Sequence, residues 1–553
     1  MNKKKFSNCF QKIFLSNFMF WGCLLAFSFL LFKDPFSERT LIPNLEPFPD
    51  TLHYVTPAMH FFDNGGSFKI SREGKGLTPS VPPLYSIVLV PLFSLIRDVR
   101  MFYFTNVFLA FASLSFFYLV LKKTIQNRWI VGFSLFLYIT NYFIYWYPSL
   151  AMAENLLLTL FLAGIYLLVS EISARKIFLA GLIPLSLYAT KYSAVPLTII
   201  FPVVYFIKIV SEREKTRHYL SFFALGLGFS SLLFFSYQHF AVGINNFGQL
   251  ANFLFSVLPK SKNATALGNT IANSLSWFSV NYFHKNLPLY LGAIQGKSMT
   301  FLWDFTPIVT WWVGRIGLLG IFLGFFKKNF RLFSLLLAST LFGQIFFIST
   351  FYAADARYIY NAIPTLIFGF AILFVSLLKI FKTRNLKFIF YVFLAGLFIF
   401  YLVTNTIRFK KQIMLNLRYA ETPWYYISVK KFNEFFTPDK VVNGKKPILI
   451  SALVPYFVDF YSNGNYSLLP LSPEQEFRSA REMIWGPNDY SDLPKLYRKY
   501  LADGRSAYVE RYGVGNEDYL YNDFKIVEEN FKLTEVATGC YQLCNIYKVE
   551  LKN

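Results

Sequence analysis

The chain has 553 residues, of which 55% are hydrophobic and only 15% are charged. Soluble globular proteins usually have about 25% charged residues, so this composition excludes an ordinary soluble enzyme. The formal net charge of +23 does not predict nucleic-acid binding. Many Lys and Arg residues stand in short loops between apolar segments, where such residues set membrane topology.

The composition changes near residue 405, because long apolar runs recur up to that point and charged and turn-forming residues prevail after it. We therefore predict a polytopic α-helical membrane domain over residues 1–405 and a C-terminal α/β domain over residues 406–553. Within the membrane domain, residues 33–100 and 241–304 are predicted to form two long outer loops, and loops of that length are usually functional.

The first apolar run, residues 13–32, follows a group of lysines at Lys3 to Lys5. It is long enough to cross a membrane, and no small-residue cleavage site follows it. We interpret it as a retained first helix with a cytoplasmic amino terminus rather than as a cleaved signal peptide.

Ten further spans are predicted from apolar length and from the positions of the basic loops. The apolar segment 83–97 is too short to span comfortably, so it lies along the outer surface or re-enters. With that choice, basic loops such as Lys122 to Arg128 fall on the cytoplasmic side, whereas a spanning 83–97 would put them outside. The ten predicted spans are 101–121, 129–146, 150–170, 177–189, 193–209, 219–240, 305–326, 332–351, 358–379 and 388–405. Eleven spans in the inner (plasma) membrane make the C-terminal domain extracytoplasmic (periplasmic).

The C-terminal region has the short alternating segments of an α/β domain. We predict strands at 446–451 and 506–510, a helix at 493–503 and closing strands over 524–550. Cys540 and Cys544 either close a small loop as a disulfide or stay reduced, and both interpretations remain open.

Polar and charged residues at the predicted outer ends of the helices are the candidate functional residues. Such residues are costly within or beside apolar helices and are usually functional. All of them fall on one predicted face of the membrane. They are Asp50, His53, Tyr54, Arg100, Glu154, Lys191, Tyr192, Asp355, Arg357 and Tyr358.

Structural roles are also open for several of these residues. Asp50 can cap a helix that begins at Leu52, and Arg100 can be an interfacial residue whose charge reaches the headgroups. Glu154 can form a structural ion pair with Lys191 or Arg357. No His, Asp or Glu spacing is typical of a zinc site.

The chemistry of sugar transfer from a lipid carrier requires these residue types. When the bond between the sugar and a polyprenyl phosphate breaks, negative charge grows on the departing phosphate, and fixed cations stabilise it. The acceptor hydroxyl loses a proton as it attacks, and one carboxylate can accept that proton. Asp50 as the base, with Lys191, Arg100 and Arg357 as phosphate-binding cations, meets both requirements.

In their order along residues 10–405, several short motifs together resemble the GT-C membrane glycosyltransferases. The similar branch is the bacterial one related to protein O-mannosyltransferases and to lipid A aminoarabinose transferase. The motifs are Asp50-Thr51-Leu52-His53-Tyr54, Pro82-Pro83-Leu84-Tyr85, the arginine that opens the second helix, Ala153-Glu154, Thr190-Lys191-Tyr192, and Arg357-Tyr358 with Pro364 beyond.

The resemblance implies an inverting enzyme that moves a hexosyl or pentosyl group from a polyprenyl-phosphate donor to an acceptor hydroxyl on the outer face of the membrane. It implies that Asp50 is catalytic, that Lys191, Arg100 and Arg357 bind the donor phosphate, and that His53, Tyr54, Glu154, Tyr192 and Tyr358 contact substrate. Family members often have Asp-Glu where this chain has Asp50-Thr51, so the involvement of a divalent metal stays open. Neither the sugar nor the acceptor follows from the sequence.

Two other classes of function use the same features. A transporter or flippase of lipid-linked sugars would bind its cargo through the same outer charges, but it should show paired halves or broken midplane helices, which the sequence does not show. A non-catalytic membrane scaffold would use the outer domain to bind a partner.

Overall fold

The computed structural model describes most of the chain, and the described residues fall into two compact units. The first unit takes in residues 1–36, 100–261 and 273–419, and the second takes in residues 37–99, 262–272 and 420–553. The predicted domain boundary after residue 405 stays a prediction. The described residues are 17–31, 49–62, 70–72, 75–77, 82–212, 215–242, 246, 248, 287, 308–349, 358, 360–381, 383–417, 424–451, 462–471, 492–511, 518–537 and 545–552.

The described part of the first unit is helical. Its helices are α1 (Phe18–Leu31), α4 (Arg100–Thr124), α5 (Arg128–Ile139), α6 (Tyr142–Trp146), α7 (Glu154–Val169), α8 (Ala174–Thr190), α9 (Val195–Ser211), α10 (Thr216–Tyr237), α11 (Trp311–Phe325), α12 (Arg331–Ile348), α13 (Ala362–Ile380) and α14 (Arg384–Leu417). Helices α2 (Pro49–Met59) and α3 (Pro83–Leu95) belong to the second unit.

Six helical segments among the described residues are long and apolar enough to cross a membrane. Five further apolar helices, α1, α3, α5, α7 and α11, are shorter than that. The predicted total of eleven spans therefore stays a prediction. The six segments are Arg100–Thr124, Tyr192–Ser211, Thr216–Phe240, Arg331–Ile348, Ala362–Ile380 and Arg384–Thr406.

The predicted span 129–146 is wrong as a single helix. Helix α5 ends at Ile139, and the side-chain oxygen of Asn141 accepts a hydrogen bond from the N–H of Phe143 at the start of α6. An Asn at this position satisfies an N–H that a helix terminus would otherwise leave free. This local cap begins a second helix, α6, in place of a continuous span.

Helix α13 is the most buried of the candidate spans, with 78% of its apolar window covered by neighbouring helices. It packs against α11 through glycines, because a Cβ at Gly320 would overlap the carbonyl oxygen of Gly369, and a Cβ at Gly369 would overlap that of Gly317. Small residues allow this approach of two backbones, which is a common way for helices to associate in membranes.

We expect Gly320→Ala to destabilise the bundle by about 1–3 kcal/mol, because the added methyl group forces α11 and α13 apart. The matched control is Gly396→Ala in α14, where a Cβ would have no neighbour within 4 Å. Thermal unfolding in detergent checks both variants. A loss of stability at Gly396 equal to that at Gly320 would contradict the packing argument.

Helices α10 and α14 are the least buried of the candidate spans. Only 22% and 17% of their apolar windows are buried, and large side chains such as Phe229, Leu232, Phe388 and Val403 are exposed. In a soluble protein a surface of this kind would promote aggregation, whereas in a bilayer it contacts the acyl chains.

In the second unit, α2 and α3 pack as a pair. The ring of Tyr54 meets that of Tyr85 edge to face with centroids 5.2 Å apart, and the hydroxyl of Ser86 donates to the carbonyl of Tyr54 at 2.9 Å. Helix α3 has 13 residues, or about 20 Å of helix, against a hydrocarbon core of about 30 Å. The sequence therefore predicted its shortness correctly.

The C-terminal region contains a mixed five-stranded sheet. The strands and helices of this region are α15 (Trp424–Phe435), β3 (Ile448–Ser451), β4 (Ser467–Pro470), α16 (Leu493–Ala502), β5 (Ala507–Arg511), α17 (Asp518–Asn530), β6 (Phe531–Ala537) and β7 (Asn545–Leu551). Strands β1 (Ile70–Arg72) and β2 (Lys75–Leu77) form a small hairpin much earlier in the chain. The strand order is β4-β3-β5-β7-β6, with β4, β3 and β5 parallel and the β5–β7 and β7–β6 pairs antiparallel.

Two of the C-terminal predictions concern the closing strands and the pair of cysteines. The prediction of strands throughout 524–550 is wrong at its start, because residues up to Asn530 belong to α17. Cys540 and Cys544 lie outside the described residues, so their disulfide stays a prediction. Within the described part of the chain, Cys23 in α1 is a free, half-buried cysteine.

Candidate active site

A break between α8 and α9 holds Lys191. Helix α8 ends at Thr190, Lys191 itself is extended with φ −156° and ψ 128°, and a 3-10 turn over Tyr192–Ala194 leads into α9. The sequence predicted a tight turn at this position. The extended backbone turns the lysine side chain out of the helical path.

Glu154 is the ion-pair partner of Lys191. It is the first residue of α7, and the chain reaches it through Ala151, which has a left-handed φ of 48°. The ammonium of Lys191 donates a hydrogen bond to Oε1 of Glu154. The Glu154 side chain is 1% exposed and that of Lys191 12%, so the pair is almost completely removed from water. Of the two interpretations of Glu154, the structural pairing is therefore observed.

Tyr358 completes this group. The Lys191 ammonium lies 5.3 Å from the centroid of the Tyr358 ring, within the range of a cation–π interaction. Two residues further on, Tyr360 donates to the carbonyl of Phe143 at 3.1 Å and packs edge to face on Tyr147 at 4.9 Å. The structure thus brings together three residues that the sequence singled out, from positions 154, 191 and 358.

Two further candidates in the first unit, Tyr192 and Arg100, occupy helix ends. Tyr192 follows Lys191, and its ring lies 5.3 Å from that of Tyr188. Arg100 is the first residue of α4, as predicted, and is half-buried. Asp355 and Arg357 lie outside the described residues.

The candidates of the second unit lie on α2. Tyr54 is buried at 5% exposure, whereas the side chains of Asp50 and His53 lie outside the description. The backbone of α2 begins at Pro49 rather than Leu52, so Asp50 belongs to the first helical turn, and the prediction that it caps a helix starting at Leu52 is wrong. Proline favours this earlier start, because its fixed φ suits the first helical position. The convergence of Asp50 with Lys191 and Arg357 stays a prediction.

Sequence reasoning missed a buried amide network beside Glu154. The side-chain amide of Asn155 donates to Oδ1 of Asn106 at 2.9 Å and to the carbonyl of Tyr147 at 3.1 Å. Asn106 in turn donates to the carbonyl of Phe102 at 2.9 Å. Two asparagines inside apolar helices were the signal, because such residues usually find partners across helices.

Other buried polar side chains have no hydrogen-bond partner among the described residues. Ser193, in the turn after Lys191, and both amide atoms of Asn361, just before α13, are of this kind. Buried polar groups are nearly always satisfied, so water or a bound molecule is the expected partner. No three His, Cys, Asp or Glu side chains in the described part of the chain form a group able to hold a metal ion.

Comparison with known proteins identifies the fold. Neither a protein-family model nor a curated protein sequence matches the chain. A crystal structure of ArnT from Cupriavidus metallidurans bound to undecaprenyl phosphate matches over 97% of this chain and 98% of that one, with a TM-score of 0.59 and 11% identity. The apo structure of the same protein matches over 92% and 95%, with a TM-score of 0.55 and 13% identity. The chain therefore has the fold of ArnT, a lipid A aminoarabinose transferase, which confirms at the level of the fold the resemblance to GT-C glycosyltransferases that its sequence predicted.

Proposed function

We propose that this chain is an integral membrane glycosyltransferase that moves a sugar from a polyprenyl-phosphate donor to an acceptor hydroxyl. The observation that carries the proposal is the placement of Lys191 in an ArnT fold. Its ammonium is held at a helix break by Glu154 and faces the ring of Tyr358. A lysine so deep among apolar helices is costly and usually serves function.

The Lys191 ammonium has N–H groups that Glu154 does not use and that can bind a phosphate. An ammonium has three N–H groups, and among the described residues Lys191 donates to one acceptor, Oε1 of Glu154. The remaining N–H groups can bind the oxygens of the donor phosphate. In this arrangement Glu154 positions Lys191, and Tyr358 contributes the attraction of its ring face to the cation.

The proposed reaction is a displacement at the anomeric carbon of the donor sugar. The acceptor oxygen attacks the anomeric carbon, and the bond from that carbon to the phosphate oxygen breaks with inversion. Asp50 accepts the proton of the acceptor hydroxyl. Lys191, Arg100 and Arg357 stabilise the charge that develops on the departing polyprenyl phosphate, an effect of a few kcal/mol per well-placed donor.

The other substrate contacts are proposed from the sequence and the fold. We assign the sugar and acceptor contacts to the remaining candidate residues of the sequence: His53, Tyr54, Tyr192 and Tyr358, with Glu154. Tyrosines present an apolar face to a sugar ring and a hydroxyl for hydrogen bonding.

We further propose that the protein lies in the inner membrane with a cytoplasmic amino terminus and with residues 406–553 outside the cytoplasm. The support is the positive-inside bias of the basic loops, such as Arg175 with Lys176 and Lys327 with Lys328. Labelling of single cysteines introduced at exposed loop positions, in intact cells and in lysed cells, tests this orientation.

A transfer assay separates the enzyme from a flippase. Purified protein in liposomes receives a polyprenyl-phosphate sugar together with an envelope extract that supplies acceptors. The enzyme is expected to release free polyprenyl phosphate and to place the sugar on a component of the extract. Movement of the intact lipid-linked sugar across the bilayer without release of polyprenyl phosphate would overturn the proposal. Repeating the assay with EDTA decides whether a divalent metal takes part.

A further inference from the structure

A cavity lies at the ends of the helices opposite to the Lys191 break. Its volume is about 330 Å³. The lining comes from the carboxyl ends of α4, α7, α9 and α13 and from the connection between α11 and α12. The sequence independently predicted that all of these ends lie on the cytoplasmic side. We call it the lysine cavity, after the side chains described next.

Three lysines line this cavity, Lys123 of α4, Lys208 of α9 and Lys379 of α13. None of them forms an ion pair with a carboxylate in the described part of the chain. Glu212, just beyond α9, is within electrostatic range of Lys208, but it does not line the cavity. The lysine cavity therefore concentrates positive charge that no carboxylate in its lining neutralises.

The ammonium of Lys208 is fixed in place. It donates to the carbonyl of Leu168 and, at 2.6 Å, to the carbonyl of Ser170, at and just beyond the end of α7. An ammonium has three donors, so one N–H group of Lys208 remains after these two bonds. The side chains of Lys123 and Lys379 are exposed, so their ammonium groups can move towards an anion in the cavity.

The rest of the lining suits an amphiphile rather than a free ion. Gln126 and Asn329 bring amide groups that can bind phosphate or glycerol oxygens, whereas Phe333 and Val375 form apolar wall. Basic cavities between membrane helices on the cytoplasmic side are typical sites for anionic lipid headgroups.

We propose that the lysine cavity binds the phosphate of an anionic phospholipid, with Lys123, Lys208 and Lys379 around the phosphate and the acyl chains along the apolar wall. The bound lipid would join the ends of α4, α9 and α13. The site is separate from the transfer chemistry, so its test does not depend on whether the chain transfers sugar.

The test compares defined probes on the full-length protein in a neutral detergent. Dioctanoyl phosphatidylglycerol is expected to raise the unfolding temperature saturably, whereas dioctanoyl phosphatidylcholine and inorganic phosphate at equal concentration are not. Equal stabilisation by phosphatidylcholine would overturn the role of charge. Equal stabilisation by inorganic phosphate would reduce the site to a free-anion site and overturn the lipid proposal.

Variants locate the binding site. Lys123→Gln/Lys379→Gln is expected to raise the half-saturating phosphatidylglycerol concentration at least about tenfold, because two charge-assisted hydrogen bonds are lost. The matched control, Lys328→Gln, removes an exposed lysine near the cavity that does not line it, and should leave that concentration unchanged. An unchanged concentration in the double variant overturns the proposal. If the double variant does not purify as folded protein, Lys379→Gln alone should raise the half-saturating phosphatidylglycerol concentration about fivefold. An unchanged concentration in that single variant overturns the proposal.

Discussion

Replacement of Lys191 by methionine is expected to lower the free energy of unfolding by about 3–5 kcal/mol. The substitution leaves Glu154 as an uncompensated charge at 1% exposure, and burial of an unpaired carboxylate is costly. Glu154→Gln should destabilise for the converse reason, since it leaves the lysine without its anionic partner. Equilibrium unfolding of the purified protein in detergent measures both effects.

The double variant Glu154→Gln/Lys191→Met is the sharper part of this experiment. Removing both charges abolishes the desolvation cost together with the attraction, so the double variant should lose clearly less stability than the sum of the two singles. Lys327→Met, at an exposed position between α11 and α12, is the control and should change stability by less than about 0.5 kcal/mol. Additive losses in the double variant would show that the two side chains are not energetically coupled.

Asp50→Asn is expected to lower the turnover number for release of polyprenyl phosphate by about 10²–10⁴-fold. The amide keeps the size of the side chain but accepts no proton from the acceptor hydroxyl. Binding of the donor should change little, because phosphate binding is assigned to the cations. The measurement is the transfer assay in liposomes, with donor concentration varied so that turnover and half-saturation are separated.

The control for Asp50 is Asp439→Asn. Asp439 is exposed in the 3-10 turn Pro438–Lys440 of the C-terminal region, so the same chemical change is made at a position with no proposed role. Its turnover should equal that of the unmodified protein. Retained turnover in Asp50→Asn would remove Asp50 as the base and leave the phosphate-binding part of the proposal to be tested through Lys191.

The ion pair between Glu154 and Lys191 was among the alternatives open from the sequence, because that argument needed only to know on which side of the membrane each residue lies. Charged residues at the same ends of neighbouring apolar helices are expected to pair with one another, since each must find a partner away from lipid. The hydrogen bond between Asn106 and Asn155 could not be predicted in the same way. It depends on how each helix is rotated about its axis, and no single-helix pattern records that rotation.

Local breaks were missed for a different reason. Apolar length suggested one helix over 129–146, but hydropathy carries no information about the cap that Asn141 supplies. At α17 a strand was predicted although the apolar residues have helical spacing. Leu520, Phe524 and Val527 stand at the spacing of one helical face. That spacing was available in the sequence, whereas the start of α2 at Pro49 required the proline to be weighed as a first helical residue.

Lys208 makes the end of α7 depend on a later helix for its hydrogen bonds. Its ammonium supplies donors to carbonyls at the end of α7 that are about forty residues earlier in the chain. The last carbonyls of a helix have no partner within that helix. Removal of the Lys208 side chain is therefore expected to weaken the contact between α7 and α9, although neither Leu168 nor Ser170 is changed.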